Sequence, residues 1–130
     1  MTGPIIRFRR TWLGRWRKTC VRALTALRQR VRDAKRVATC MGFGPRFLHS
    51  TGQAYKGGPN SGVFLQITAD DAQDLANPGW KYTFGIVKEA QAQGDLTVLH
   101  ERGRRALRIH LGADVGAGLA KLASALQRAL

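Results

Sequence analysis

A chain of 130 residues has room for one compact core and excludes a multidomain enzyme, since single cores commonly occupy about 100 to 150 residues. Hydrophobic residues at 44%, with 8% aromatic and 15 glycines, exclude a disordered or fibrous chain. The net charge of +14 is concentrated early: residues 1–36 hold twelve Lys and Arg against Asp33 alone, net +11, whereas the remainder holds ten basic and seven acidic residues, net +3.

The first segment, residues 7–36, places Trp12, Leu13, Trp16, Val21, Leu24, Leu27 and Val31 among arginines, several at three- or four-residue steps. This spacing predicts a basic amphipathic helix, and residues 1–30 read as a leader outside the main domain of residues 31–130. Such a helix could take nucleic acid or an anionic membrane as partner. Cys20 and Cys40 form no CxxC pair, and no histidine stands at zinc-finger spacing, so no metal or cofactor is expected. No apolar run approaches the roughly 20 residues that span a bilayer, and the start lacks a signal-peptide pattern, so the expected compartment is the cytoplasm.

Residues 37–41 (VATCM) are a short apolar run leading into a Gly-Pro turn, which suits a buried strand. A loop and short helix are expected over residues 46–56, closed by Gly57-Gly-Pro-Asn60, and Val63–Thr68 has the β-branched content of a second strand. Residues 69–81 are acidic, contain Asn77-Pro-Gly79 and predict a loop. Residues 83–92 and 96–102 predict two helical pieces divided at Gly94-Asp95, followed by a strand at residues 106–111. Asp114 is placed to cap a last helix whose Val115, Leu119, Leu122, Ala123 and Leu126 recur on one face. This alternation predicts an α/β fold with a mainly parallel sheet, preceded by the basic helix.

Polar chemistry is densest in GFGPRFLHSTGQAYKGGPN, residues 42–60, which directly follows the first of these strands. Ligands of open α/β sheets sit outside the carboxyl ends of strands. Arg46, Ser50, Thr51, Gln53 and Lys56 offer the cations, hydroxyls and amide that a phosphorylated sugar requires. His49 can carry a proton near neutrality, as opening a cyclic sugar demands, although a histidine here could equally satisfy a helix end.

The run GFGPRFLHSTGQAYKGGPNSGVFLQIT resembles the GPRFLHSTGQ-x-x-KGGPN-x-GVFLQ segment in the isomerase half of bacterial transaldolase/phosphoglucose isomerase fusions. Residues 68–71, 78–79, 82–85, 88–94 and 104–114 continue the likeness in the same order, over about 100 residues. The resemblance implies a partial sugar-isomerase (SIS-type) three-layer fold and the interconversion of glucose 6-phosphate and fructose 6-phosphate through a cis-enediol. It also implies that His49 opens the ring. Conventional phosphoglucose isomerases place a lysine on the last helix in a G-x-x-x-G-K setting, and Lys121 is the loose counterpart here.

The glutamate that takes the C2 proton in that family lies in an E-S-N-G-K-like segment, and this sequence contains none. The expected function is therefore that of a C-terminal fragment whose own turnover is low. The alternatives are a nucleic-acid or anionic-surface binder acting through residues 7–36, and a sugar-phosphate-binding module without chemistry. The expected partners are a phosphorylated sugar, the missing enzyme portions and a second copy of the chain.

Overall fold

The computed structural model describes residues 5–9, 14–44 and 53–130, with side chains from residue 19 onward. Among these residues eight elements alternate: β1 (Ile5–Arg9), α1 (Gly14–Lys35), β2 (Cys40–Gly44), α2 (Gln53–Gly57), β3 (Val63–Thr68), α3 (Phe84–Glu101), β4 (Arg105–His110) and α4 (Val115–Ala129). The four strands form one parallel sheet in the order β2-β1-β3-β4. The expected α/β class with a parallel sheet is thus the observed one.

Residue alternation along β3 sets the two faces. Leu65 and Ile67 face a core made with Leu24 and Leu27 of α1 and Leu119 of α4. Phe64 faces the other way, onto Leu99 of α3, Tyr55 of α2 and Ala106 of β4. The sheet therefore lies between an α1/α4 layer and an α2/α3 layer. In the second layer the Tyr55 and Phe64 rings meet edge to face, with centroids 6.2 Å apart.

The N-terminal segment departs from expectation. Residues 5–9 are a strand, paired with β2 on one side and β3 on the other, and the helix starts only at Gly14. The alternation of Ile6 and Phe8 with Arg7 and Arg9 is a strand pattern that the surrounding arginines obscure. Leu24 and Leu27, assigned by the sequence to a leader, are 1% and 5% exposed and belong to the core. The boundary expected near residue 30 falls inside α1.

Two further elements differ from their sequence reading. The strand expected at residues 37–41 starts at Cys40, because Arg36, at φ +49°, ends α1 and residues 37–39 form a connector. Arg28 fastens this connector by donating to the carbonyl and hydroxyl oxygens of Thr39. The helix pair expected around Gly94-Asp95 is one helix, α3. An interior glycine costs about 1 kcal/mol relative to alanine, and burial of Ala92, Leu96 and Leu99 on either side outweighs it.

The last helix is held close to the end of β4. Asp114 Oδ1 accepts from the Ala117 amide at 2.9 Å, the expected N-cap. Gly112 makes the preceding turn at φ +73°, a conformation that favours glycine. A Cβ on Gly118 would lie 2.7 Å from Leu111 Cβ and 2.8 Å from its carbonyl oxygen. Gly118→Ala must therefore push α4 off the sheet, and a loss of about 1–3 kcal/mol is expected in urea denaturation. An unchanged midpoint would contradict this close approach.

Candidate functional site at the carboxyl edge of the sheet

The connection from β1 through α1 leads to β2 on one side, and the chain then crosses to β3 on the other, so strand order reverses between β1 and β3. In open α/β sheets the carboxyl edge at such a reversal is where ligands bind. Residues 42–60 leave β2 at this edge. His49, Arg46, Ser50 and Thr51 lie outside the described residues, whereas Gln53 and Lys56 are in α2.

Lys56 is engaged rather than free. Its ammonium donates to Asp95 Oδ1 of α3 at 2.7 Å, and the two side chains are 22% and 11% exposed. Arg104 closes the end of α2 by donating to the carbonyl oxygens of Lys56 and Gly58 at 2.8 and 2.5 Å. Asn60 in turn donates to the Gly103 carbonyl at 3.0 Å. The Lys-Gly-Gly-Pro-Asn tail of the polar run is thus tied to α3 and to the start of β4, at the amino edge of the sheet, so the run crosses from one edge of the sheet to the other.

Lys121 is an exposed residue of α4, six positions and about 9 Å along the helix from Val115. It belongs to the α1/α4 layer, whereas Gln53 and Lys56 belong to the layer across the sheet. The structure does not bring these two sets together.

The carboxyl edge itself holds a group that the sequence does not bring together. Thr68 and His110 are register partners at the carboxyl ends of β3 and β4, with the Thr68 hydroxyl 3.0 Å from His110 Nδ1. His110 Nε2 lies 3.1 Å from Asp70 Oδ1. With the proton on Nε2, the imidazole donates to the carboxylate and accepts from the hydroxyl, which satisfies all three groups. The Thr68 side chain is buried, while His110 and Asp70 are half exposed. Two backbone bonds, Leu111 N to Thr68 O and Asp70 N to Gly112 O, join the strand ends beneath them.

This chain can relay a proton between a buried hydroxyl and a solvent-facing carboxylate. It can also act simply as a tether between adjacent strands. The signal that could have found it is the parallel pairing of two strands that end in Thr68 and His110. Below it on the same face, Arg108 donates to Gln66 Oε1 at 2.6 Å and to Gln93 Oε1 at 2.8 Å, while Gln66 donates to the Ala92 carbonyl at 2.9 Å. These bonds fasten α3 across β3 and β4.

The loop after β3 is fixed to the start of α3 by carboxylates. Asp71 pairs with Lys88, and Asp74 Oδ1 accepts from the amides of Leu75 and Gly85 at 2.8 and 2.7 Å. The Thr83 hydroxyl bonded to Asp74 is the main cause holding that carboxyl below its ordinary range, with the Gly85 and Leu75 amides and Lys88 adding to it. A lowered carboxyl stabilises the folded loop above the ordinary aspartate pKa and loses that contribution as pH falls through its own lower value. Protection of the Leu75 and Gly85 amides from hydrogen exchange should therefore fall on acidification below about pH 4, and Asp74→Asn should abolish the step. A step that persists in the variant would assign it to another group.

Around this loop Leu75, Trp80, Phe84 and Ile86 are each at least half exposed, and the Trp80 and Tyr82 rings lie 5.3 Å apart. Among the described residues no cluster of His, Cys, Asp and Glu could hold a metal ion, and no helix is long and apolar enough to cross a membrane.

No protein-family model matches the chain, and no curated protein matches it. Its structure is similar to that of the hypothetical protein TT0462 from Thermus thermophilus, with a TM-score of 0.68 at 17% identity. The alignment covers 95% of this chain and 34% of that one, so the chain spans about a third of the length of that protein. The likeness shows a shared fold.

Proposed function

We propose that this chain is a C-terminal sugar-isomerase subdomain of the transaldolase/phosphoglucose isomerase type, which binds a phosphorylated sugar at the carboxyl edge of its sheet. The observation that carries this reading is that the run resembling that family, residues 42–60, leaves a parallel strand at the edge where α/β layers take ligands. His49 then serves as the proton carrier for ring opening, with Arg46, Ser50, Thr51 and Gln53 on the phosphate and hydroxyls. Lys56, held by Asp95, fixes the helix on which Gln53 sits.

Turnover between glucose 6-phosphate and fructose 6-phosphate requires a base at C2 as well. Proximity of base, acid and phosphate site supplies much of the rate of such reactions, so the chain by itself binds sugar phosphate and converts it slowly or not at all. The exposed apolar residues around Trp80 are of the kind that a neighbouring enzyme portion or a second copy covers.

Ligand-detected NMR with fructose 6-phosphate tests the reading. Saturation transfer is expected with the wild-type chain and should weaken at least about fivefold in His49→Ala, because hydrogen bonds from such a group contribute about 1 kcal/mol or more. Absence of transfer in the wild type would overturn the proposal. A coupled assay for glucose 6-phosphate should register no more than a trace of turnover.

A further inference from the structure

The charge of the molecule is divided by the sheet. The α1 and α4 helices together carry ten basic residues and one acidic, net +9, while α2 and α3 carry two basic and three acidic, net −1. The cations of the second layer are also neutralised where they stand, Lys56 by Asp95 and Lys88 by Asp71. In the first layer Arg32 pairs with Asp33, but no carboxylate among the described residues pairs with Arg22, Arg30, Lys35, Lys121 or Arg128. All five are exposed.

From Arg22 to Arg30, on the side of α1 away from Leu24, these cations cover about 12 Å of helix, a length over which duplex DNA presents about seven phosphates. The α4 helix packs beside α1 through Leu119, Leu122 and Leu126, adding Lys121 and Arg128 to the same layer. A bilayer is the poorer match. Interfacial helices enter lipid by an apolar face, and here Leu24 and Leu27 are already buried against the sheet.

We infer that the α1/α4 layer binds the phosphodiester backbone of duplex nucleic acid, on the face of the sheet away from the α2 helix of the proposed sugar site. Recognition is by charge alone, so it tolerates any sequence and is steep in salt. With about four phosphates neutralised, affinity should fall on the order of 100-fold between 50 and 200 mM salt. The inference does not depend on the sugar-phosphate reading.

Fluorescence anisotropy of the full chain against a labelled 20-base-pair DNA duplex and a scrambled duplex, over that salt range, is the test. Equal affinity for the two duplexes and the steep salt dependence are expected. The triple variant R22A/R30A/K121A should weaken binding at 50 mM salt at least about tenfold and lower the salt slope by about 2 to 3. Alanine is a strong helix former, and circular dichroism verifies that the variant is folded. The control K81A/R102A removes two exposed cations outside α1 and α4 and should change affinity less than about twofold.

No binding at 50 mM salt, or a control as damaging as the triple variant, would overturn the assignment. So would tighter binding to phosphatidylserine-containing vesicles than to duplex, since that would identify an anionic membrane as the partner.

Discussion

Leu24→Ala is expected to destabilise the protein by about 3 kcal/mol in urea denaturation, the middle of the range for buried leucines that leave a cavity. Leu24 is 1% exposed and packs with Leu27, Ile67 and Leu119, so removing three carbons leaves space that α1, the sheet and α4 must all move to fill. The result also separates two pictures of the N-terminal third. In a leader that merely precedes the domain, a leucine-to-alanine change costs little, because alanine has the higher helix propensity. A measured loss under about 0.5 kcal/mol would therefore detach α1 from the core.

Lys56→Met should cost about 2 kcal/mol. Methionine keeps the stem of the lysine but removes the cation facing Asp95, a carboxylate whose side chain is only 11% exposed. Removing one partner of a largely buried charge pair costs more than the pair contributes, because the remaining carboxylate loses its cation while staying shielded from water. Asp95→Leu on the Lys56→Met background should then recover a large part of the loss, and a coupling of at least about 1 kcal/mol is expected from the double-mutant cycle. The same variant distinguishes structure from binding. If stability is unchanged while sugar-phosphate affinity falls, Lys56 contacts ligand and the Asp95 pairing is incidental.

Periodicity made β3, β4 and α4 legible, because their patterns are long enough to resemble nothing else. Val63–Thr68 reads as a strand from its β-branched and apolar residues, and Asp114 announces the helix that follows. At α3 a local rule gave way to packing: Gly94 and Asp95 look like a break, but Asp95 is occupied by Lys56, 39 positions earlier, a partner that no local window contains. For β1 the difficulty was charge, since five residues with two arginines resemble the start of a basic helix more than a sheet strand. Its partners are also non-local.

The candidate site divides along the same line. The polar run at residues 42–60 is contiguous and could be read directly. The Thr68, His110 and Asp70 group becomes visible only when two strand ends 42 residues apart are brought into register. His110 taken alone is one histidine at the end of an alternating strand. Its two partners give it an orientation that composition cannot supply.

The strand order has a consequence in time. Of the four strands β1 leaves the ribosome first, yet it is an interior strand, flanked in the finished sheet by residues that start at Cys40 and Phe64, 35 and 59 positions after Ile5. At about 5–20 residues per second, its second neighbour is not synthesised for roughly 3–12 s. Both of its hydrogen-bonding edges are open until β2 follows, after roughly 2–7 s, and the edge that β3 takes stays open for the rest of the interval. Arg7 and Arg9, which disguise it in the sequence, place like charges at alternate positions of that waiting strand and oppose its pairing with another nascent copy.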